Sequence, residues 1–221
     1  MIFLTVASAF FVSIAVLING QMAKNQARDS INQLESFVRG SLNDVNNGYY
    51  PELATQGVNC IVAGGVVTSY TIAGANNRGT SQTCVLIGKS ITFRANSLEI
   101  GTWIAPKNIA SVASKTPMKE IVELRDNKPY RWGMTKQIAD ETYYVLNTNF
   151  GADAAASASD FVSGAQSVSV YVEQPAGSNT LVPANNKTVC FSKAGTNAFA
   201  SLVLAEDYAL KVRTDYNGAG C

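Results

Sequence analysis

The chain contains no histidine, and that one absence removes a good deal of chemistry. Ser-His and Cys-His nucleophile pairs need an imidazole base, and His-containing zinc sites are lost with it. Charge is also scarce: only 15% of the 221 residues are Asp, Glu, Lys or Arg, with 17 basic residues against 16 acidic ones. A formal net charge of +1 gives no bulk field to draw a polyanion, so nucleic-acid binding is not expected. The P-loop, the G-x-S-x-G elbow and the dinucleotide fingerprint are missing as well. Carboxylates remain in number, but no spacing points to a convergent pair, so no catalytic residue, metal site or cofactor is assigned.

What is present begins at the N-terminus. Residues 1–19 read MIFLTVASAFFVSIAVLIN, without a charge, a glycine or a proline, and the first charged residue is Lys24. As a helix this run extends about 28 Å at about 1.5 Å per residue, against about 30 Å of bilayer hydrocarbon. A cleaved signal peptide carries a basic leader and a small-x-small site, and neither is seen here, so a membrane-spanning helix is the expectation.

Beyond Asn19 the helical pattern continues but changes character. Ala27, Ile31, Leu34, Val38, Leu42 and Val45 recur at steps of three and four, while Arg28, Asp29, Asn32, Gln33, Glu35 and Arg39 fall on other faces. This amphipathic stretch ends at Asn46-Asn47-Gly48, ahead of Pro51. One helix over 1–48 is expected, with Asn19 and Gly20 as its weak point, since glycine inside a helix costs about 1 kcal/mol relative to alanine.

After Pro51 short β-branched or aromatic runs alternate with turn residues. Strands are expected at 65–73, 84–95, 98–104, 142–148, 167–173, 189–193, 199–204 and 208–214, with a tight hairpin at Asn96-Ser97. The fold class is therefore α+β, a long N-terminal helix followed by an antiparallel β-sheet head over 49–221. The mixed-charge stretch 115–141 reads as a solvated face, on which Arg125, Tyr130, Arg131 and Trp132 are candidate surface contacts. The triplet Asn186-Lys187-Thr188 matches a glycosylation sequon, and residues 152–160 form a small-residue stretch with no assigned chemistry.

All four cysteines follow the apolar run, and they permit three pairings. Cys60 and Cys84 bracket the first expected strand, whereas Cys190 and Cys221 join a late strand to the last residue. Sequential pairing, Cys60 with Cys84 and Cys190 with Cys221, closes loops worth about 3 to 4 kcal/mol each in the chain-entropy model and implies an oxidising, extracytoplasmic compartment. Four buried thiols are the alternative; a zinc site made of all four cysteines lacks its C-x2-C spacing.

This layout resembles the type IV pilin and pseudopilin family. The run MIFLTVASAFFVSIAVLINGQ is similar to the pilin stretch just after the processing site. Cys84-Val85-Leu86-Ile87-Gly88-Lys89-Ser90-Ile91-Thr92-Phe93 is similar to the strand of H-type pseudopilin heads in which a cysteine, two apolar residues and a glycine precede I-x-F. The family places a glutamate at the fifth mature position, where this chain has Thr5, and Met1 falls inside the apolar run. The processing site and assembly glutamate are therefore expected ahead of Met1.

The resemblance implies a structural subunit, a major pilin, of a bacterial type IV pilus serving attachment or motility. It further implies a homo-oligomeric helical filament on the cell surface, and a subunit that sits in the cytoplasmic membrane with its head outside before assembly. A prepilin peptidase and an assembly platform are its implied partners. Phe3, Leu4, Phe10, Phe11, Ile14, Leu17 and Ile18 are the residues expected to pack the filament core. Two other readings are a minor pseudopilin of a type II secretion system and a membrane-anchored extracellular adhesin or hydrolase.

Overall fold

The computed structural model describes residues 2–47, 57–73, 84–107, 109, 112–137, 139–147, 168–184, 187–193, 199–206 and 209–215. Side chains are described at all of these except 2–7, 9, 57, 73, 199–200, 204–206 and 209–215. A single helix, α1 (Ile2–Asn46), runs unbroken for 45 residues, straight through Asn19 and Gly20. Its closing turn is marked by the Asn47 N–H donating to the Asn43 carbonyl at 2.9 Å.

The stripe read from the sequence is the stripe that packs. Ala27, Ile31, Leu34, Val38, Leu42 and Val45 are all buried, and Ser30 and Ser41 are the small residues buried beside them. Fully burying a large aliphatic side chain is worth about 1.5 to 3 kcal/mol, so the five large members together contribute on the order of 10 kcal/mol. That is as much as a typical domain's whole net stability.

The head is antiparallel throughout its described strands. One sheet has the order β5 (Lys119–Pro129), β4 (Ser97–Pro106), β3 (Cys84–Phe93), β7 (Glu141–Asn147), β8 (Val168–Glu173), β9 (Leu181–Pro183). A second sheet has the order β12 (Ala209–Asp215), β11 (Phe199–Glu206), β10 (Lys187–Lys193), β6 (Met134–Lys136). A separate hairpin joins β1 (Gly57–Ala63) to β2 (Val66–Ala73). Gly64 and Gly65 form its two-residue turn at φ +61° and +76°, backbone angles that favour glycine in such hairpins.

Helix α1 lies against β3 and β7 of the first sheet and against β10, β11 and β12 of the second. Its stripe meets Ile91, Phe93, Leu98, Ile100, Tyr143, Val145, Phe191 and Leu202 in one core. The Lys89 ammonium, almost wholly buried on the helix-facing side of β3, lies 2.7 Å from Asp44 Oδ2 on the last full turn of α1. A buried cation is tolerable only when partnered, so this pair fixes the helix end on the sheet.

The sheet face is longer than the helix that covers it. Where α1 stops, Leu86, Ile104 and Ile121 are covered instead by Val58, Cys60 and Val67 of the β1–β2 hairpin. The Cys60–Cys84 disulfide, with Cα atoms 6.0 Å apart, ties that hairpin to the start of β3. Cys190 is also in a disulfide, its partner lying outside the described residues, as Cys221 does. The change of cover coincides with a bulge in β3 between Leu86 and Gly88. Gly88 has no room for a side chain: a Cβ there would lie 2.0 Å from the Val145 carbonyl oxygen and 2.9 Å from Leu146 Cα.

On the opposite face Ile87, Ala105, Tyr144 and Leu146 are covered by Ile109 and Met118 from the β4–β5 connection and by Leu181. That connection is held by Lys115, whose ammonium lies 2.6 Å from Glu173 Oε1. The Gly177 N–H donates to Glu173 Oε2 at 2.7 Å, and the Tyr144 hydroxyl also donates to this carboxylate. Burial works against the Glu173 charge, but the donors Lys115, Tyr144 and Gly177 outweigh it and hold the carboxyl below its usual range.

Every strand expected from the sequence is present to within two residues, and β1, β5, β6 and β9 are additional. The stretch 115–141, read as a solvated face, contains β5 as an edge strand whose Ile121 is fully buried.

The docked stripe and the buried carboxylate can each be tested by stability. A fragment beginning at Lys24 keeps the whole packed stripe and should give a cooperative thermal transition with native circular dichroism, whereas one beginning at Glu52 should not fold. Because the Glu173 carboxyl is depressed in the folded state, its stabilising effect is full above the unfolded value near 4.5 and is lost as pH falls through the folded value. Glu173→Gln should therefore be less stable at neutral pH and show a flatter acid limb in denaturant titrations run between pH 6 and about pH 3.

Candidate functional site

Among the described residues no group of three or more His, Cys, Asp or Glu side chains is placed to hold a metal ion. Carboxylates on the head surface are engaged in ion pairs: Arg94 with Glu99 and Asp140, Arg125 with Glu99 and Glu120, and Lys128 with Asp126.

The extended surface that the described fold leaves uncovered is the first half of α1. Burial begins at Ala27, and N-terminal to it Phe10, Phe11, Val12, Ile14, Val16, Leu17, Ile18 and Met22 stand clear of the head. Exposure ranges from 49% at Ile14 to 74% at Phe11, and these residues fall on every side of the helix. A helix with one apolar stripe needs one partner, whereas a helix apolar all round needs an apolar environment all round. The side chains of Phe3 and Leu4 lie outside the described residues, on backbone that belongs to the same helix. No helix among the described residues is long and apolar enough to cross a membrane. The described side chains take in the apolar run only from Ser8 and Phe10 onward, and the sequence extends it back through 1–7.

The four candidate surface contacts separate. Tyr130 is not a surface residue: it is buried in the main core, its hydroxyl donates to the Arg94 carbonyl at 3.0 Å, and its ring meets Phe191 edge-on at 5.5 Å. Its place among charged residues suggested exposure, but the chain turns inward there between β5 and the 3-10 turn Arg131–Gly133. Arg125 is exposed and pairs with Glu120 on β5 and Glu99 on β4. Arg131 is exposed, and Trp132 is 51% exposed.

Trp132 differs from the others in its backbone. It takes φ +57° and ψ +27°, the left-handed region, where a bulky side chain costs on the order of 1 to 2 kcal/mol. Its indole N–H donates to Asp29 Oδ2 on α1 at 2.9 Å, which holds the ring beside the helix just where burial begins. No sequence signal marked that conformation. A glycine following the tryptophan, Gly133 at φ +68°, is the local hint of a turn.

Comparison with protein-family models, with curated proteins and with solved structures finds no match to this chain.

The exposure difference is directly measurable. Trp132→Phe should remove the acrylamide-quenchable part of the tryptophan fluorescence of the monomer. The remaining Trp103, packed edge-on against Tyr144 at 5.4 Å, should give a blue-shifted, poorly quenched emission.

Proposed function

We propose that this chain is a structural subunit of a type IV pilus or related filament, assembling through its N-terminal helix. One observation carries the reading: a single unbroken helix has its C-terminal half locked into the core of a head and its N-terminal half exposed and apolar on all sides. Two environments cover such a rod completely, the interior of a bilayer and a bundle of like rods. A subunit that waits in the first and transfers to the second uses the same surface twice. The gain on leaving lipid is small because both environments are apolar, so close packing through Ala15 and neighbouring small residues decides the association.

The resemblance of residues 1–21 to the pilin stretch and of Cys84–Phe93 to a pseudopilin strand supports the same reading. A head-to-tail repeat of one surface against another gives an open helical filament when the rotation does not close. On this reading the chain is inserted in the cytoplasmic membrane before assembly, works with a prepilin peptidase and an assembly platform, and is displayed outside the cell as a homopolymer for attachment or motility. The role is association, with no catalytic step. A minor pseudopilin shares the architecture and is separated from a major pilin by copy number.

Electron microscopy of sheared cell-surface material, with mass spectrometry of the N-terminus of this chain in that fraction, tests the proposal. Filaments composed mainly of this chain, with a processed extension ahead of Met1 containing glutamate, are the expected result. An unprocessed membrane-bound chain with no filaments overturns it. In the same cells Phe10→Asp should abolish filaments while the Lys24 fragment remains folded, because one charge in the middle of the uncovered rod is unfavourable in either apolar environment by about 2.5 to 3.5 kcal/mol or more.

A further inference from the structure

The uncovered helix is apolar all round, yet one of its faces leads to a feature on the head. Counting back from Asp29, Met22, Ile18 and Phe11 lie about two, three and five turns earlier, so all four residues share one face of α1. Met22, Ile18 and Phe11 are exposed, and the Trp132 ring sits at the end of their line, tethered to Asp29. Beyond the polar Asn25 and Gln26, the latter accepting from the Lys193 ammonium, the head adds to this face a half-exposed tryptophan, held by a hydrogen bond in a backbone conformation that bulky residues rarely adopt. Pre-positioned tryptophan at the end of an apolar surface is a common form of interface anchor, because little freedom remains to be lost on contact.

From this placement we infer that Trp132 is the contact the head makes with the helix of a second copy lying along the Phe11–Ile18–Met22 face. The inference rests on the assembly reading above and names the head residue that completes that interface. The occupant follows from charge and distance. The stripe carries no charge from Phe11 to Met22, Lys24 and Arg28 project from other faces, and the charges nearer the head, Asp29 and Lys193, are bonded to Trp132 and Gln26, so the stretch from Phe11 to Met22 complements a surface that is long, apolar and uncharged. The chain's own N-terminal half is such a surface.

Lipid does not reach as far. Asp29 is about 15 Å along the axis beyond Asn19, where the apolar run ends, whereas the headgroup layer on one side of a bilayer is about 5 to 7 Å thick. A neighbouring helix displaced along the axis meets the ring; a membrane that takes up residues 1–19 leaves it in water.

The test uses the purified full chain in detergent, brought to assembly by detergent dilution and followed by light scattering and electron microscopy. Wild type and Phe11→Asp define the assembling and non-assembling limits. Trp132→Ala is expected to raise the protein concentration needed for assembly at least tenfold. Trp132→Gly should do the same while keeping the wild-type thermal midpoint, since glycine takes the left-handed backbone without penalty. In a Trp103→Phe background, where Trp132 is the only tryptophan, assembly should shift the emission to the blue and suppress acrylamide quenching.

Assembly of Trp132→Ala at the wild-type concentration, with Phe11→Asp still inactive, overturns this inference and leaves the assembly reading standing. So does a Trp132 that stays fully quenchable in the assembled protein, or one that is protected in phosphatidylcholine vesicles at concentrations where the chain is monomeric. Failure of the wild type to assemble overturns both.

Discussion

Everything else in this molecule depends on the seam between α1 and the two sheets. Among the described residues the six-stranded and four-stranded sheets share no strand pairing, and both present apolar side chains to the same helix. Ile91, Phe93, Tyr143 and Val145 of one sheet and Val189, Phe191 and Leu202 of the other meet the stripe from Ala27 to Val45 in one core, while Asn32, Ser36, Arg39 and Asn43 on the far side of the helix stay exposed. A stripe shared by two sheets tolerates no loss of register, and it makes the helix and head a single mechanical unit. Asp29, bonded to Trp132, and Asp44, paired with Lys89, mark the two ends of the docked segment, about 22 Å apart along the axis. Load applied to the N-terminal half therefore passes directly into the core rather than through a hinge.

The second constraint comes from a mismatch of lengths. Helix α1 ends at Asn46, and β3, β4 and β5 extend past it, so the apolar face that continues through Leu86, Ile104 and Ile121 needs another cover. The β1–β2 hairpin supplies it. A two-stranded hairpin is marginal by itself, and the disulfide from Cys60 to Cys84 anchors this one to the strand it shields. A loop of this size contributes about 3 kcal/mol in the chain-entropy model. The bulge at Ile87 lies at the same level, which is why Ile87 packs on the opposite face while Leu86 remains under the hairpin.

The helix was legible because its periodicity is simple: spacing alone identified all six buried positions of the stripe and separated them from the uncharged run before it. Eight strands were legible from β-branched and aromatic runs bounded by turn residues. What was missed was hidden by a competing signal. Strand β5 carries Lys119, Glu120, Glu123, Arg125, Asp126 and Lys128, as an edge strand can, and so it reads as a solvated face with no strand assigned. In β1 the alternation of Val58, Cys60 and Val62 is interrupted by an outward-facing Ile61, although Gly64-Gly65 between two such runs was a usable hairpin signal. Tyr130 was misplaced because residue type among charges says little about direction: the same stretch buries Tyr130 and exposes Trp132 two residues later. That difference is a matter of backbone angle at the turn.

The distribution of charge also determines which surface is available for association. A sheet edge and an apolar helix are both self-complementary, and a chain that offers both has two ways to polymerise. Here the long edge strand β5 bears charges of both signs, several of them locked in pairs, the edge strand β12 carries Lys211, Arg213 and Asp215 in seven residues, and the edge strands β9 and β6 are only three residues long. Edge-to-edge pairing through β5 has to bury those charges without new partners, which makes it unfavourable. The helix has no charge before Lys24, so its association carries no such penalty. Charge withheld from the first 23 residues and concentrated on the sheet edge thus favours the helical route over the β route.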